Sequence, residues 1–417
     1  MPNQLDTLSW FRVVPASGAS RSFVAPAIHP ALPLPAPRRP AAAPAPDAKI
    51  YFPNLNALRF LAALLVLVTH IEQLKSAFGI ENYMGKVAFF DIAGPQGVVL
   101  FFVLSGFLIT YLLLAEERQS QTIQVRRFYV RRILRIWPLY LLIVLSSLFV
   151  LPHVRFLNWP GYGPEVTQTD LPLKLALYLT FFANLVLSLV AVVPFASQTW
   201  SIGTEEQFYL VWPVLLRAVK RHRLALMCGI MLGYYAIRFG LQTRFADALP
   251  AKDVVTAFVS GFAIDRMAMG GLFALLLFEK SRFLRVWMNR YVFYAALAVI
   301  AWMYVANPST PAVRYPLYPF LYGIVVLNLA ANPGIGWRLE TRHTTFLGNI
   351  SYGLYMLHPL AITLAIVVGL RLGWTSNFFL YPATVAGTIG LAAVSYAWYE
   401  TPFLRLKARF QIVRSGN

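Results

Sequence analysis

The chain has 417 residues, of which 58% are hydrophobic and 13% are charged, whereas soluble proteins contain roughly 45–50% apolar and about 25% charged residues. This composition argues against a soluble globular enzyme and a disordered protein, and the single cysteine, Cys228, argues against a disulfide-rich scaffold. A formal net charge of +19 fits either a nucleic-acid-binding protein or a polytopic membrane protein with basic cytoplasmic loops.

Residues 1–48 differ from the rest of the chain because they are rich in proline and alanine, as in "VAPAIHPALPLPAPRRPAAAPAPDA". Such a sequence cannot form a hydrophobic core, and we expect a disordered cytoplasmic tail. We expect an integral-membrane domain over residues 49–405 and a basic cytoplasmic tail over residues 406–417.

From Asn54 onwards, apolar stretches alternate with short basic or Pro/Gly-rich links. A bilayer core of about 30 Å needs about 20 apolar residues per helix. The sequence therefore predicts an all-α polytopic membrane protein. The hydrophobic segments cover residues 54–74, 90–115, 133–151, 171–193, 205–219, 224–241, 254–279, 290–306, 315–331, 346–371 and 376–402.

Lysine and arginine concentrate in a subset of the links, which cover residues 116–135, 217–223, 279–290, 332–345 and 403–417. The positive-inside rule places these links in the cytoplasm. The chain then crosses the membrane an even number of times between Arg135 and Arg217, although an odd number of apolar segments lies there. The basic charge is thus an orientation signal, and it does not require a nucleic-acid partner.

The surplus segment is 171–193, which contains Lys174 and Asn184 and leads into Pro194. We interpret it as a re-entrant or interfacial segment on the outer side. About ten transmembrane helices remain, with both termini in the cytoplasm and the protein in the inner (plasma) membrane.

Ionisable residues inside the bilayer are candidates for function because each costs a few kcal/mol to insert. Arg59 lies near the inner end of the first segment, and His70 lies about 16 Å further out on the same helix face, at about 1.5 Å per residue. Glu205 follows the outer start of its helix and is expected at a similar depth. A histidine–carboxylate pair is a common arrangement for removing a proton from a hydroxyl.

Structural roles are open for the same residues. His70 can be a hydrogen-bonded interhelical histidine, and Glu205 with Glu206 can stabilise a helix N-terminus. The arginines of 126–135 can be positive-inside anchors. We interpret the pair at 265–266, Asp265 and Arg266, as a structural ion pair.

Several stretches in one order resemble the bacterial membrane-embedded acyltransferase family 3, whose members O-acylate sugars and other acceptors. The resemblance covers residues 51–405. The stretches are "NLNALRFLAALLVLVTHIEQ", "GPQGVVLFFVLSGFLIT", "RRFYVRRILRIWPLYLL", "TWSIGTEEQFYLVWP", "LGNISYGLYMLHP" and "SYAWYETPF".

The resemblance implies catalytic roles for His70 and Glu205. It implies that three arginines bind acyl-CoA. Arg59 is the arginine paired with the histidine, and Arg132 and Arg135 form the double-arginine motif. The resemblance also implies contacts with substrate, which are assigned to Ser105, Trp200, Ser201, Gln207, Tyr209 and His358. Ile202 departs from the family pattern, where leucine is usual.

These assignments predict transfer of an acyl group, most simply acetyl, from cytoplasmic acyl-CoA to a hydroxyl of an extracytoplasmic or lipid-linked carbohydrate. His70, oriented by Glu205, is the expected general base, and Ser105 is a candidate donor to the oxyanion. We expect neither a permanently bound cofactor nor a metal. A transient acyl-enzyme intermediate stays open as a variant.

Two other classes of function are compatible with a polar path through many helices. One is a transporter of glycolipids or polysaccharide units without acyl transfer. The other is a non-catalytic sensor or scaffold, which would have little use for an intramembrane histidine and glutamate. Consumption of acyl-CoA distinguishes the enzyme from both.

Overall fold

The computed structural model describes residues 49–243, 247, 249–307 and 311–413, without the side chains of 311–314. The predicted tail at 1–48 and the last residues of the predicted tail at 406–417 lie outside this part of the chain. Helices dominate the described residues, and no β-strand occurs among them, so the predicted all-α class is confirmed.

The helices are described in chain order. They are α1 (Leu55–Ala77), α2 (Ala88–Ser120), α3 (Val125–Phe149), α4 (Pro164–Gln168), α5 (Leu171–Leu179), α6 (Ala183–Leu189), α7 (Trp200–Ala218), α8 (Arg223–Gly240), α9 (Lys252–Phe262), α10 (Ile264–Phe278), α11 (Leu284–Trp287), α12 (Arg290–Ala306), α13 (Pro311–Ala331), α14 (Arg342–Asn349), α15 (Ser351–Leu372), α16 (Asn377–Val394) and α17 (Thr401–Ala408). A π-helical turn at Ser395–Glu400 joins the last two.

Six helical stretches in the described chain are long and apolar enough to cross a membrane. Two shorter apolar helices, Arg290–Ala306 and Tyr315–Ala331, accompany them. The six stretches are Leu55–Ala77, Ala88–Ser120, Val125–His153, Lys252–Phe278, Ser351–Leu372 and Asn377–Ala408. Length and composition therefore support a membrane protein.

The segment 171–193 does not form one helix. It is divided into α5 and α6 at Phe181, whose φ of 60° lies in the left-handed region. A helix of nine residues such as α5 extends about 14 Å, which is too short for a bilayer core of about 30 Å. The Phe181 carbonyl accepts a hydrogen bond from Gln207, and the Tyr178 carbonyl accepts one from Tyr140. These bonds hold the broken segment against α7 and α3.

A second break interrupts the apolar segment 254–279. Ala263, with a φ of 42°, separates α9 from α10. The Gly261 carbonyl just before the break accepts a hydrogen bond from the Thr204 hydroxyl of α7. The break places Arg266 in the first turn of α10.

The core of the molecule lies around α2, which packs most extensively against α10 and α1. Glycines permit the close approach of α2 and α10. A β-carbon on Gly106 would overlap the Met267 carbonyl, and one on Gly270 would overlap the Val103 carbonyl. Small residues of this kind let the backbones of membrane helices come into contact.

We predict that Gly106→Ala lowers the free energy of unfolding by about 1–3 kcal/mol, because the new methyl group overpacks the α2–α10 contact. Gly233→Ala in α8 is the matched control, since nothing lies within 4 Å of a β-carbon there. Thermal unfolding in detergent measures both variants. Equal stability of the two variants would contradict the proposed role of Gly106.

Candidate active site

The two intramembrane histidines, His70 on α1 and His358 on α15, form a hydrogen-bonded pair. The Nδ1 atom of His70 lies 3.0 Å from Nε2 of His358 and 3.1 Å from the Val66 carbonyl oxygen. The Nδ1 atom of His358 lies 2.7 Å from the Tyr355 carbonyl oxygen. A carbonyl oxygen only accepts hydrogen bonds, so Nδ1 of His358 carries a proton. Nδ1 of His70 carries a proton as well, which the Val66 carbonyl oxygen and Nε2 of His358 share.

This chain of hydrogen bonds leaves Nε2 of His70 without a proton and without a hydrogen-bond partner among the described residues. His70 is half-buried, and it lines a cavity of about 430 Å³ that we call the histidine cavity. An unprotonated imidazole nitrogen beside a cavity is the arrangement that a general base requires.

His358 was predicted to contact substrate, but it lines neither the histidine cavity nor the second cavity described below. The side chain is only 1% exposed. Its two ring nitrogens are both used, one for the Tyr355 carbonyl and one for His70. The structure therefore makes His358 the residue that orients His70.

A second cavity of about 410 Å³, which we call the arginine cavity, contains the three arginines predicted to bind the donor. The described side chains also bring two further cations to its lining, Arg131 and Lys407, which the sequence had not singled out for this role. The predicted members of its lining are Arg59, Arg132, Arg135, Ser105, Glu205, Ser201 and Tyr209.

The arginines of this cavity are held by different contacts. Arg59 donates to Asn56 at 2.9 Å, and Arg131 forms an ion pair with Glu116 at 2.7 Å. The guanidinium of Arg132 lies over the rings of Phe128 and Tyr209, at 5.4 and 5.7 Å from their centroids. Its Nε atom is buried and has no hydrogen-bond partner among the described residues. This guanidinium therefore has a donor available for an anionic ligand.

Glu205 lies in the arginine cavity, and the structure does not bring it to His70. Its carboxylate accepts hydrogen bonds from Ser105 at 2.8 Å and from Tyr209 at 2.7 Å. The expectation of a His70–Glu205 pair assumed that Glu205 lies at the outer start of its helix. The helix begins instead at Trp200, so Glu205 lies about 7.5 Å along the helix axis from the first helical residue.

The other residues predicted to contact substrate do not lie in one cavity. Trp200 lines the histidine cavity, while Ser201 and Tyr209 line the arginine cavity. Gln207 lines neither of them, because its amide donates to Phe181 and Asn184. Gln207 thus holds the broken 171–193 segment rather than a ligand.

Val98 and Tyr355 line both cavities and therefore separate them. The Tyr355 hydroxyl donates to the Gln198 carbonyl at 2.9 Å and lies 2.7 Å from the Ser201 hydroxyl. The same residue supplies the carbonyl that binds His358. A ligand in one cavity is therefore separated from the other cavity only by the side chains of Val98 and Tyr355.

Comparison with known proteins identifies the family. A family model described as an acyltransferase domain matches residues 52–397. The chain belongs to this acyltransferase family. The predicted resemblance is confirmed, and the family is one of acyltransferases.

Three relatives illustrate the similarity. The peptidoglycan O-acetyltransferase OatA of Listeria monocytogenes is 26% identical over 386 residues, which cover 84% of this chain and 56% of the relative. A Staphylococcus aureus protein named as an O-acetyltransferase is 25% identical over 85% of this chain and 57% of its own. A protein of the Acidianus two-tailed virus named as an acetyltransferase is 26% identical over 78% of this chain and 88% of its own.

The chain spans about half the length of the first two relatives, which carry further sequence outside the match. No solved structure matches this chain. The comparisons therefore give the family and a related class of reactions, and the assignment of roles in this chain rests on its own geometry.

Proposed function

We propose that this protein transfers an acyl group, most simply acetyl, from acyl-CoA to a hydroxyl of a carbohydrate or glycolipid. The observation that carries the proposal is the unprotonated Nε2 of His70 in a cavity that adjoins a second, arginine-lined cavity across Tyr355. The anion site can bind the phosphates of the donor while the base lies close to the thioester at the other end of the same molecule. This arrangement suits transfer of the acyl group to a hydroxyl.

The arginine cavity is the proposed site of acyl-CoA. Its guanidinium groups suit the phosphates of the nucleotide, because each guanidinium can donate paired hydrogen bonds to phosphate oxygens. The pantetheine arm then extends past Val98 and Tyr355, and the thioester lies beside His70. Ser105, which the sequence made a candidate donor to the oxyanion, lines the arginine cavity and donates its hydroxyl proton to Glu205, so we assign it to positioning on the donor side.

The reaction begins when Nε2 of His70 takes the proton of the acceptor hydroxyl. The oxygen attacks the thioester carbonyl, a carbon–oxygen bond forms, and the carbon–sulfur bond breaks. The thiolate of coenzyme A leaves and receives the proton from the imidazolium of His70, which restores the base.

His358 takes the orienting role in this proposal. It holds the proton of His70 on Nδ1, which keeps Nε2 available to the acceptor. Glu205 acts in the arginine cavity, where it binds the hydroxyls of Ser105 and Tyr209, and the guanidinium of Arg132 lies over the Tyr209 ring. Its proposed effect is therefore on the donor rather than on the base.

We propose about ten membrane crossings with both termini in the cytoplasm and the protein in the inner membrane. Six helical stretches satisfy length and composition, and α7, α8, α12 and α13 supply the others. The concentration of basic links on one side, together with the arginine cavity, supports a cytoplasmic location for the donor site. The name of the Listeria relative supports an acceptor in the cell envelope.

We predict that His70→Ala lowers kcat by about 10²–10⁴-fold, the usual contribution of general-base catalysis. The control is His222→Ala, in the exposed link between α7 and α8. Release of free coenzyme A and acylation of the acceptor are measured together in detergent. A folded His70→Ala variant with the wild-type rate would refute the assignment of the base, and a wild-type protein that never consumes acyl-CoA would favour a transporter.

Arg132→Gln and Arg135→Gln are each expected to raise KM for acetyl-CoA about tenfold or more, since each removes charged hydrogen bonds to phosphate. The KM for S-acetylpantetheine, which lacks the nucleotide, should not change. Arg127→Gln, an exposed arginine on the same helix, is the matched control. Equal effects on both donors would mean that the arginines act on the fold and not on phosphate.

Cysteine labelling tests the crossings. In a Cys228→Ser background, cysteines introduced at His222 and Ser281 should be protected from a membrane-impermeant maleimide added to intact cells. A cysteine at Glu81, in the link between α1 and α2, should react. Labelling of His222→Cys from outside would contradict the ten-crossing arrangement.

A further inference from the structure

Arg266 is the cation of the histidine cavity. It lies in the first turn of α10, directly after the break at Ala263, and lines the same cavity as His70. No aspartate or glutamate occurs among the described residues of this lining. The cavity beside the proposed base is therefore positively charged.

The charge of Arg266 is not neutralised by an ion pair. Its sequence neighbour Asp265 was predicted to pair with it, but the carboxylate accepts from the Tyr235 hydroxyl of α8 at 3.1 Å. No ion pair of Arg266 occurs within the described residues. The side chains of consecutive residues project from a helix in directions about 100° apart, which explains why Asp265 and Arg266 have different surroundings. The two side chains at 265–266 therefore do not form the predicted ion pair by direct contact, although their charges are close enough to interact.

A second arginine adds to the positive charge on this side of the molecule. The guanidinium of Arg238 lies 3.6 Å from the ring centroid of Tyr315, and Tyr315 lines the cavity. Arg238 also donates to the Tyr234 hydroxyl at 3.2 Å. It therefore acts from behind the cavity wall, and Arg266 is the guanidinium available to a ligand.

Gln96 of α2 provides an unused hydrogen-bond acceptor in the same lining. The side chain is 7% exposed, and its Oε1 atom is buried without a hydrogen-bond partner in the described chain. An unpaired buried carbonyl costs about 1–3 kcal/mol, and a ligand that donates a hydrogen bond removes that cost. Gln96 is therefore the residue of this lining that we assign to a hydroxyl of the ligand.

The rest of the lining suits a carbohydrate. Trp200, Tyr315 and Tyr318 contribute aromatic rings, and Ser260 contributes a hydroxyl. Apolar rings with a few polar groups at set positions are typical of sites for small ligands. The lining thus combines flat apolar surfaces, an acceptor for a hydroxyl, a base and a cation.

We propose that the acceptor is an anionic carbohydrate, with a carboxylate or phosphate bound by Arg266, a hydroxyl bound by Gln96 and a second hydroxyl presented to His70. The inference rests on the proposed acyl transfer and names its acceptor class. Arg266 binds the anion because a guanidinium donates paired hydrogen bonds to carboxylate or phosphate oxygens. Val98 and Tyr355 separate this anion site from the arginine cavity, so the phosphates of the donor do not occupy it.

Binding to the full chain in nanodiscs tests the inference by calorimetry. The probes are 4-nitrophenyl β-glucoside, the matching glucuronide and the matching glucoside 6-phosphate, which differ only in the anion. The wild type should bind one or both anionic probes at least about tenfold more tightly than the neutral glucoside. Preference for the glucuronide alone indicates a carboxylate acceptor, and preference for the phosphate alone indicates a phosphorylated one. Equal binding of all probes, or no binding, overturns the inference.

Substitutions separate the two contacts. Arg266→Gln should remove the preference for the anion while leaving the affinity for the glucoside unchanged, and Arg266→Lys should restore part of the preference. Gln96→Leu should weaken all probes by a similar factor. Arg282→Gln, an exposed arginine after α10, is the matched control and should behave as wild type. A preference that survives Arg266→Gln overturns the inference.

Acyl transfer from acetyl-CoA is measured in parallel, so that the two proposals fail in different ways. Equal kcat/KM for the neutral and anionic acceptors leaves the proposed function in place and overturns the acceptor class. Anion-dependent binding without acyl transfer supports the anion site and overturns the proposed function.

Discussion

The hydrogen bond between His358 and His70 is the interaction on which the rest of the site depends. Either ring nitrogen of a histidine can carry the proton. The chain from the Tyr355 carbonyl through His358, together with the Val66 carbonyl, selects Nδ1 of His70. The selection needs α1 and α15 in contact, because the two rings belong to different helices. The chemistry of one nitrogen thus follows from the packing of two membrane helices, and Tyr355 links that packing to both cavities.

The membrane environment explains why polar groups occur in short hydrogen-bonded chains. An unpaired charge or carbonyl at membrane depth is costly, so Glu205 is bound by two hydroxyls and Gln207 by the broken segment at Phe181. The Nε of Arg132 and the Oε1 of Gln96 belong to the set of buried polar atoms that have no hydrogen-bond partner in the described chain. Each belongs to a residue that lines a cavity, where a bound substrate would supply the missing partner.

Sequence reasoning placed Arg59, Arg132 and Arg135 together because the family motifs and the positive-inside rule both located them at one side, and the structure places them in one cavity. It did not place Glu205, because the start of α7 at Trp200 is set by tertiary contacts that a hydropathy profile does not contain. Lys407 was missed because sequence reasoning assigned it to the basic tail 406–417. The last helix, α17, continues to Ala408 and brings Lys407 to the arginine cavity.

Two cavities rather than one follow from the charges of the proposed substrates. A donor with several phosphates and an anionic acceptor repel each other, and the repulsion is strong where little water is present. Arginines on each side of Tyr355 neutralise one substrate each, so that the neutral thioester and the hydroxyl are the parts that approach. The wall at Val98 and Tyr355 has to pass the narrow pantetheine arm while it keeps the nucleotide on its own side. A thin wall of two side chains, with His70 directly behind it, satisfies both requirements.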